Sequence, residues 1–374
     1  MKRLYSLVGA LLSAELLAAC GGSSSFSSST PMSVAPTAPS PAAPGVGLPQ
    51  ILRSQPAYSR YAPHRIRKDV QKESVLYSFA GGSDGVSPFA TLTNVGGTLY
   101  GTTGGGGASG YGTVFKITTS GTESVLHSFA SGSDGAHPFA GLTNVGGTLY
   151  GTTGGGGASS YGTVFKITTS GTESVLYSFA GGSDGATPVA DLTNVGGTLF
   201  GTTEYGGASS YGTVFKITTS GTESVLYRFA GGSDGAKPVA GLTNVAGTLY
   251  GTTDYGGGSG CYSDGCGTVF KITTSGKKRV LYSFAGGSDG ADPFAGLTNV
   301  GGALFGTTAI GGSSDNGTVF KITTSGTESV LYRFVGGSDG LRPLAGLTNV
   351  GGTLYGTTIR GGASGDGTVY SLSF

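Results

Sequence analysis

Among the acidic residues outside an otherwise repeated pattern are Asp191, Glu204, Asp254 and Asp292. Two carboxylates flanking a glycosidic bond can share general-acid and general-base work, and such pairs assemble from residues far apart in sequence. These four are therefore the candidates for an enzyme acting on extracellular polysaccharide. The carboxylates that recur, Asp84, Asp134, Asp184, Asp234, Asp289 and Asp339, each sit in a G-S-D-G turn. One Asp per unit cannot gather the six to eight oxygens that Ca²⁺ takes, so an Asp that caps its own turn is the expected role. Only His64, His127 and His137 occur. His127 takes the place of a repeated Tyr and is expected to pack. Neither it nor His137 has a Cys, a His or a second carboxylate near in sequence, so no metal site and no cofactor are expected. Nothing suggests a Ser-His-Asp set. The expectation is a chain without catalytic residues, with the polysaccharide-acting enzyme and a purely structural envelope protein as alternatives.

These residues are carried on a repeat. The pattern V-L-[YH]-x-F begins at Val75, Val125, Val175, Val225, Val280 and Val330, in steps of 50 residues with one of 55. The longer step holds Cys261-Tyr262-Ser263-Asp264-Gly265-Cys266, whose two cysteines are expected to close a disulfide in an oxidising compartment. Within a unit four short runs rich in Val, Thr, Leu and aromatics read as strands a to d, taken in the first unit as Pro88–Thr93, Thr98–Thr103, Thr113–Thr118 and Glu123–Phe129. N-V-G-G joins a to b and T-S-G-T joins c to d, both tight-turn chemistry. Along c, Phe115 and Ile117 alternate with Val114, Lys116 and Thr118. Both faces are thus fit for packing between neighbouring sheets.

Four antiparallel strands repeated six times predict an all-β, six-bladed β-propeller over residues 73–374. The repeat starts with a d-type strand, Glu73–Phe79, and ends with a c-type strand. Pairing 73–79 with the C-terminal blade would close the ring and remove two edges.

The copies differ mainly in two loops, b–c and d–a, which antiparallel parity puts on one face. That variable face is the candidate ligand-binding surface. It offers Glu204, Tyr205, Asp254, Tyr255 and Arg360 at the start of b–c loops, Tyr111, Tyr161 and Tyr211 just before strand c, and Arg342 before a proline. Drift in loops without a packing role is the alternative. A glycan, a cell-wall polymer or a protein would suit such contacts; the absence of Trp weakens the sugar version, although Tyr can stack.

The chain has 374 residues, 75 of them Gly, and only 11% are charged. Residues 1–72 hold eight Lys/Arg against two acids, whereas 73–374 hold 13 against 18. A slightly acidic repeat region gives nucleic acid no footprint. Residues 1–19 begin with Lys2-Arg3 and continue as an apolar stretch too short to span a bilayer, a signal-peptide pattern. Residues 20–72 are rich in Ser, Pro and Ala and then turn basic, as a disordered linker does. A monomer is expected.

Two resemblances add to this. Leu17-Ala18-Ala19-Cys20-Gly21 resembles a bacterial lipobox, which implies lipidation of Cys20 and a membrane anchor. Gly21 rather than Asp after the Cys implies the outer membrane or cell surface. The recurring N-V-G-G-T-L-Y-G-T-T (Asn94–Thr103, Asn144–Thr153) followed by G-T-V-F-K-I (Gly112–Ile117) resembles the GloVer-type extracellular tandem repeat of bacterial surface proteins. That family implies export, a propeller-like fold and no established reaction.

Overall fold

The structure, a computed structural model, describes residues 74–258, 260–261 and 264–373. The signal-peptide, lipidation and linker assignments, Cys20 included, lie outside these residues. Blade one is the antiparallel sheet β1 (Thr93–Val95), β2 (Thr98–Thr103), β3 (Thr113–Thr118), β4 (Glu123–Ser128). Blade two repeats it as β5 (Thr143–Val145), β6 (Thr148–Thr153), β7 (Thr163–Thr168), β8 (Glu173–Ser178). Blades three to five follow in the same way, as β9 to β12 over residues 193–228, β13 to β16 over 243–283 and β17 to β20 over 298–333. Blade six is β21 (Thr348–Val350), β22 (Thr353–Thr358) and β23 (Thr368–Ser373). The six antiparallel blades form the six-bladed β-propeller that the repeat predicts, with no α-helix among the described residues.

The turns fold as their residues dictate. Gly96 and Gly97 both take positive φ, 60° and 85°, and the Gly97 N–H donates to Asn94 Oδ1 at 2.9 Å. This is the left-handed pair that a two-residue hairpin needs. Strand a differs from the expectation. Residues 88–92 form no ladder, and the strand is only Thr93–Val95. Pro88 has no N–H to give, and in later units the carbonyls of this segment are taken by side chains of the preceding blade. Thr102 Oγ1 donates to the Ala140 carbonyl at 2.8 Å, and Thr93 Oγ1 donates to that of Leu142. The segment binds its neighbour rather than its own sheet.

Each blade packs on the next through one recurring cluster. Tyr100, Val114 and Phe129 of blade one meet Leu142, Leu149, Phe165 and Ile167 of blade two, and all seven are buried. The rings Phe129 and Phe165 meet edge to face at 5.2 Å. Each such aliphatic or aromatic side chain contributes about 1.5–3 kcal/mol by burial. The Phe of strand c needs space opposite it, which a Gly of strand b supplies: Gly201 pairs with Phe215 across the ladder. A Cβ on Gly201 would lie 2.5 Å from the Phe215 ring and 2.9 Å from Leu192. Gly201→Ala is therefore expected to destabilise the propeller by about 1–3 kcal/mol, the usual effect of overpacking, in urea unfolding. An unchanged midpoint would mean the ring can move aside.

One junction departs from the expectation of closure. Five junctions carry the cluster, and none joins blade six to blade one. Residues 74–79 make no ladder with β23, which leaves blade six with three strands. Phe79 still meets Phe115 edge to face at 5.1 Å, as Phe129 meets Phe165 of the following blade. The segment has thus docked on blade one without joining blade six. Leu92 is 48% exposed where its counterpart Leu142 is 5%. Val369 is 79% exposed where Val319 is fully buried.

Candidate functional site

The site is built on a recurring piece of backbone. In every blade the residue before the d–a proline has positive φ: Ser87, His137, Thr187, Lys237, Asp292 and Arg342, at 55–60°. None is Gly, so each holds a conformation costing about 1–3 kcal/mol unless its surroundings enforce it. They do. The Lys237 N–H donates to the Tyr211 carbonyl of the preceding blade at 2.8 Å, and its own carbonyl accepts from the Asp254 N–H at 3.0 Å. The same two bonds hold Thr187 between Tyr161 and Glu204, and Asp292 between Cys266 and Ala309. Each pre-proline residue is thereby fixed beside the first residue of its own b–c loop. Sequence reading found the variability of these positions but not the left-handed backbone, which follows from contacts between blades.

Blades three to five place unlike charges on this frame. Glu204 and Asp254 are buried, and Glu204 Oε1 has no hydrogen-bond partner. The Lys237 ammonium lies 5.0 Å from the centroids of both the Tyr205 and Tyr255 rings. Burial, followed by the charge of Asp292, pushes Asp254 up to about 8, while Lys237 works in the opposite direction. Burial, followed by the charge of Asp315, pushes Asp292 up to about 7, with Arg342 opposing. Glu204 is also raised by burial, against its Tyr205 and Lys237 neighbours. The charges of Asp292, Lys237 and Glu204 thus act on Asp254, and those of Asp315 and Arg342 act on Asp292.

The remaining candidates lie elsewhere. Asp191 is a backbone brace: its Oδ1 accepts from the Gly141 N–H at 2.6 Å. The Tyr161 and Tyr211 rings cover the glycines Gly181 and Gly231 that precede the next G-S-D turns. Tyr111 meets His137 edge to face at 5.7 Å. Arg360 is exposed on blade six, with its N–H bridged to the Leu341 carbonyl. Cys261 and Cys266 are joined by a disulfide.

A second recurring group escaped the sequence reading. Tyr177 Oη donates to Asp184 Oδ1 at 2.8 Å, and Asp184 Oδ2 accepts from the Ala180 N–H at 2.7 Å. The next blade adds Glu223, which burial and then Asp184 push up to about 7. Tyr77–Asp84–Glu123 and Tyr282–Asp289–Glu328 repeat this set. In one copy Lys278 replaces the Glu, and its ammonium donates to Asp234 Oδ1 at 2.8 Å. In another, His127 replaces the Tyr and meets Asp134 and Glu173. The expectation that His127 has no carboxylate partners is corrected, because its partners arrive through a turn and from the next blade.

The sequence profile of the Gloeobacter/Verrucomicrobia repeat matches residues 57–263 and 261–374. The chain belongs to the Gloeobacter/Verrucomicrobia repeat family. No curated protein matches this family member. Among solved structures it is similar to a gluconolactonase from Xanthomonas campestris, at 15% identity over 80% of this chain and 87% of that one, with a TM-score of 0.45. A luciferin-regenerating enzyme is similar at 13% identity over 79% and 92%, TM-score 0.43. A glucose dehydrogenase is similar at 13% identity over 78% and 97%, TM-score 0.43. These likenesses concern the fold alone, yet each of the three is named for an enzymatic activity. The expectation of a non-enzyme is corrected to this extent: solved proteins of similar fold are named for enzymatic activities, and those activities are theirs.

Proposed function

We propose that this Gloeobacter/Verrucomicrobia repeat protein binds a carbohydrate at the loop face of blades three to five and performs acid–base chemistry on it. The observation that carries this reading is that Glu204 and Asp292 both act on the buried Asp254, with Lys237 opposing at Glu204 and Asp254; two of the three acids are buried and all three are raised above the ordinary carboxylate range. Asp254 keeps its proton up to about pH 8 and serves as general acid. Asp292, ionised above about pH 7, serves as base. Tyr205 and Tyr255 offer ring faces for a sugar, and the unpartnered Glu204 Oε1 accepts a ligand hydroxyl. Arg342 acts on Asp292 there, and Tyr111, Tyr161, Tyr211 and Arg360, which lie apart from these acids, are further candidate contacts on loops of the same parity. Residues 1–19 export the chain and Cys20 anchors it by lipid at the outer membrane or cell surface, a reading supported by the lipobox-like Leu17–Cys20.

The test is a screen of the full chain against soluble glycans, peptidoglycan and lipopolysaccharide, scored for saturable binding and for release of reducing ends. Turnover is expected to peak between about pH 7 and 8, where protonated Asp254 and ionised Asp292 coexist. Asp254→Asn and Asp292→Asn are each expected to lower it by about 100-fold or more. Turnover untouched by both substitutions refutes the acid–base reading. Binding that persists without turnover reduces the site to a binding module.

A further inference from the structure

Five copies of the repeat bring three side chains together at equivalent places, and the copies differ there in a chemically ordered way. Where the d strand carries Tyr, its hydroxyl supplies the proton that holds the Asp: Tyr77 to Asp84 at 2.7 Å, Tyr177 to Asp184 at 2.8 Å, Tyr282 to Asp289 at 2.7 Å. Where Lys278 enters, a full positive charge stands at that place. Its ammonium meets Asp234 and lies 5.2 Å from the Tyr227 centroid and 5.0 Å from that of Phe229. The junction of blades one and two has neither a phenol nor an ammonium. His127 Nε2 instead lies 3.1 Å from Asp134 Oδ1 and 3.2 Å from Oδ2, while Glu173 Oε1, like that of Glu123, Glu223 and Glu328, is buried with no hydrogen-bond partner.

We propose that His127, Asp134 and Glu173 bind a divalent transition-metal ion of the Zn²⁺ class. One ligand atom from each lies within 4.8 Å of the other two. A tetrahedral ion with ligands at about 2.1 Å holds them about 3.4 Å apart, a gap that side-chain rotation closes. One imidazole nitrogen and two carboxylate oxygens suit a borderline cation, whereas an imidazole in the set disfavours Ca²⁺ and Mg²⁺. Lys278 is the internal precedent: the same pocket two blades on already takes a cation beside its Asp. The three ligands come from β4, the turn after it and β8, so the ion ties blade one to blade two. They leave a fourth position for water, since His127 and Asp134 are partly exposed. Glu173 Oε1, unpartnered in the protein alone, gains a ligand bond.

The experiment titrates the metal-stripped full chain with Zn²⁺ by calorimetry and with Co²⁺ by visible absorption. One Zn²⁺ per chain, a tetrahedral Co²⁺ band and a raised Tm are expected. His127→Tyr restores the residue of the sibling units and so keeps the fold. The outer partners of a metal site are each worth about 10–100-fold in affinity, so losing this direct ligand is expected to weaken binding more than about 100-fold and abolish the Co²⁺ band. Glu173→Gln is expected to weaken it as well. His137→Thr, the residue of the following unit, is expected to leave it intact. Equal Zn²⁺ binding by wild type and His127→Tyr overturns the proposal, as does loss of binding in His137→Thr alone or no binding at all.

Discussion

Asp254→Asn is expected to stabilise the protein progressively as pH rises from about 4 to about 8. The buried carboxyl of Asp254 ionises in the folded protein only near 8, against an ordinary value of 3.8. Between those values the unfolded chain has released a proton that the folded chain still holds. The linkage relation then makes stability fall with rising pH, by at most about 1.4 kcal/mol per unit for one group. Below pH 4 both states are protonated and the contribution of the wild-type acid is fully retained; above 8 both are ionised and the loss is complete. Asn keeps the shape and removes the titration. Urea unfolding at several pH values should show wild type and variant alike near pH 4 and separating steadily above it. Parallel curves would mean that Asp254 is solvated or paired in a way that cancels its burial. The same substitution is expected to remove the proposed general acid, so stability and turnover should move in opposite directions, as they do where a site holds a group the fold would rather lose.

A second large effect is expected at the junctions between blades. Phe305 of blade five and Tyr355 of blade six hold equivalent places in strand b, yet Phe305 is fully buried and Tyr355 is 41% exposed. Phe305→Ala should cost about 3–5 kcal/mol, as buried aromatics do. Tyr355→Ala, with no blade packed over it, should cost a small fraction of that. Equal losses in guanidinium unfolding would show that blade one covers Tyr355 in solution and that residues 74–79 complete blade six. The contrast isolates one junction, because five others of the same construction serve as its reference.

Much of the architecture was legible because a repeat states its own rules several times. The turns at Asn94–Gly97 and Thr118–Thr122, the strands β2, β3 and β4, and the Asp134 side chain that accepts from the Ala130 N–H all follow from local residue chemistry. Antiparallel parity alone put the b–c and d–a loops together, where backbone bridges such as Ala186 to Tyr205 now join them. Strand a was misread because apolar content at Phe89–Leu92 signals burial but not whose carbonyls are bonded to whom. Thr102 and Thr93 reach those partners in the next unit, 38 and 49 residues away. The unrepeated acids were visible as exceptions, but not which of them meet. Asp191 looks no different in sequence from Asp254, yet one braces a backbone N–H and the other sits beside Lys237 and Asp292. His127 was read as packing because its partners, Asp134 and Glu173, are ordinary members of two repeats.

The left-handed residues before the prolines also bear on how such a gene diversifies. Their backbone is held by a bond to their own b–c loop and, in all but Ser87, by one to the preceding blade, whatever side chain they carry. A codon change at one of them therefore alters the rim without redirecting the chain. An array grown by copying one unit begins with identical rim residues and a symmetric mouth. Point mutations at these few codons are enough to break that symmetry, and Ser87, His137, Thr187, Lys237, Asp292 and Arg342 are all different amino acids. Unequal recombination between neighbouring units would then move whole blades with their rim residues attached, assorting charges around the mouth while every junction meets a partner it already fits.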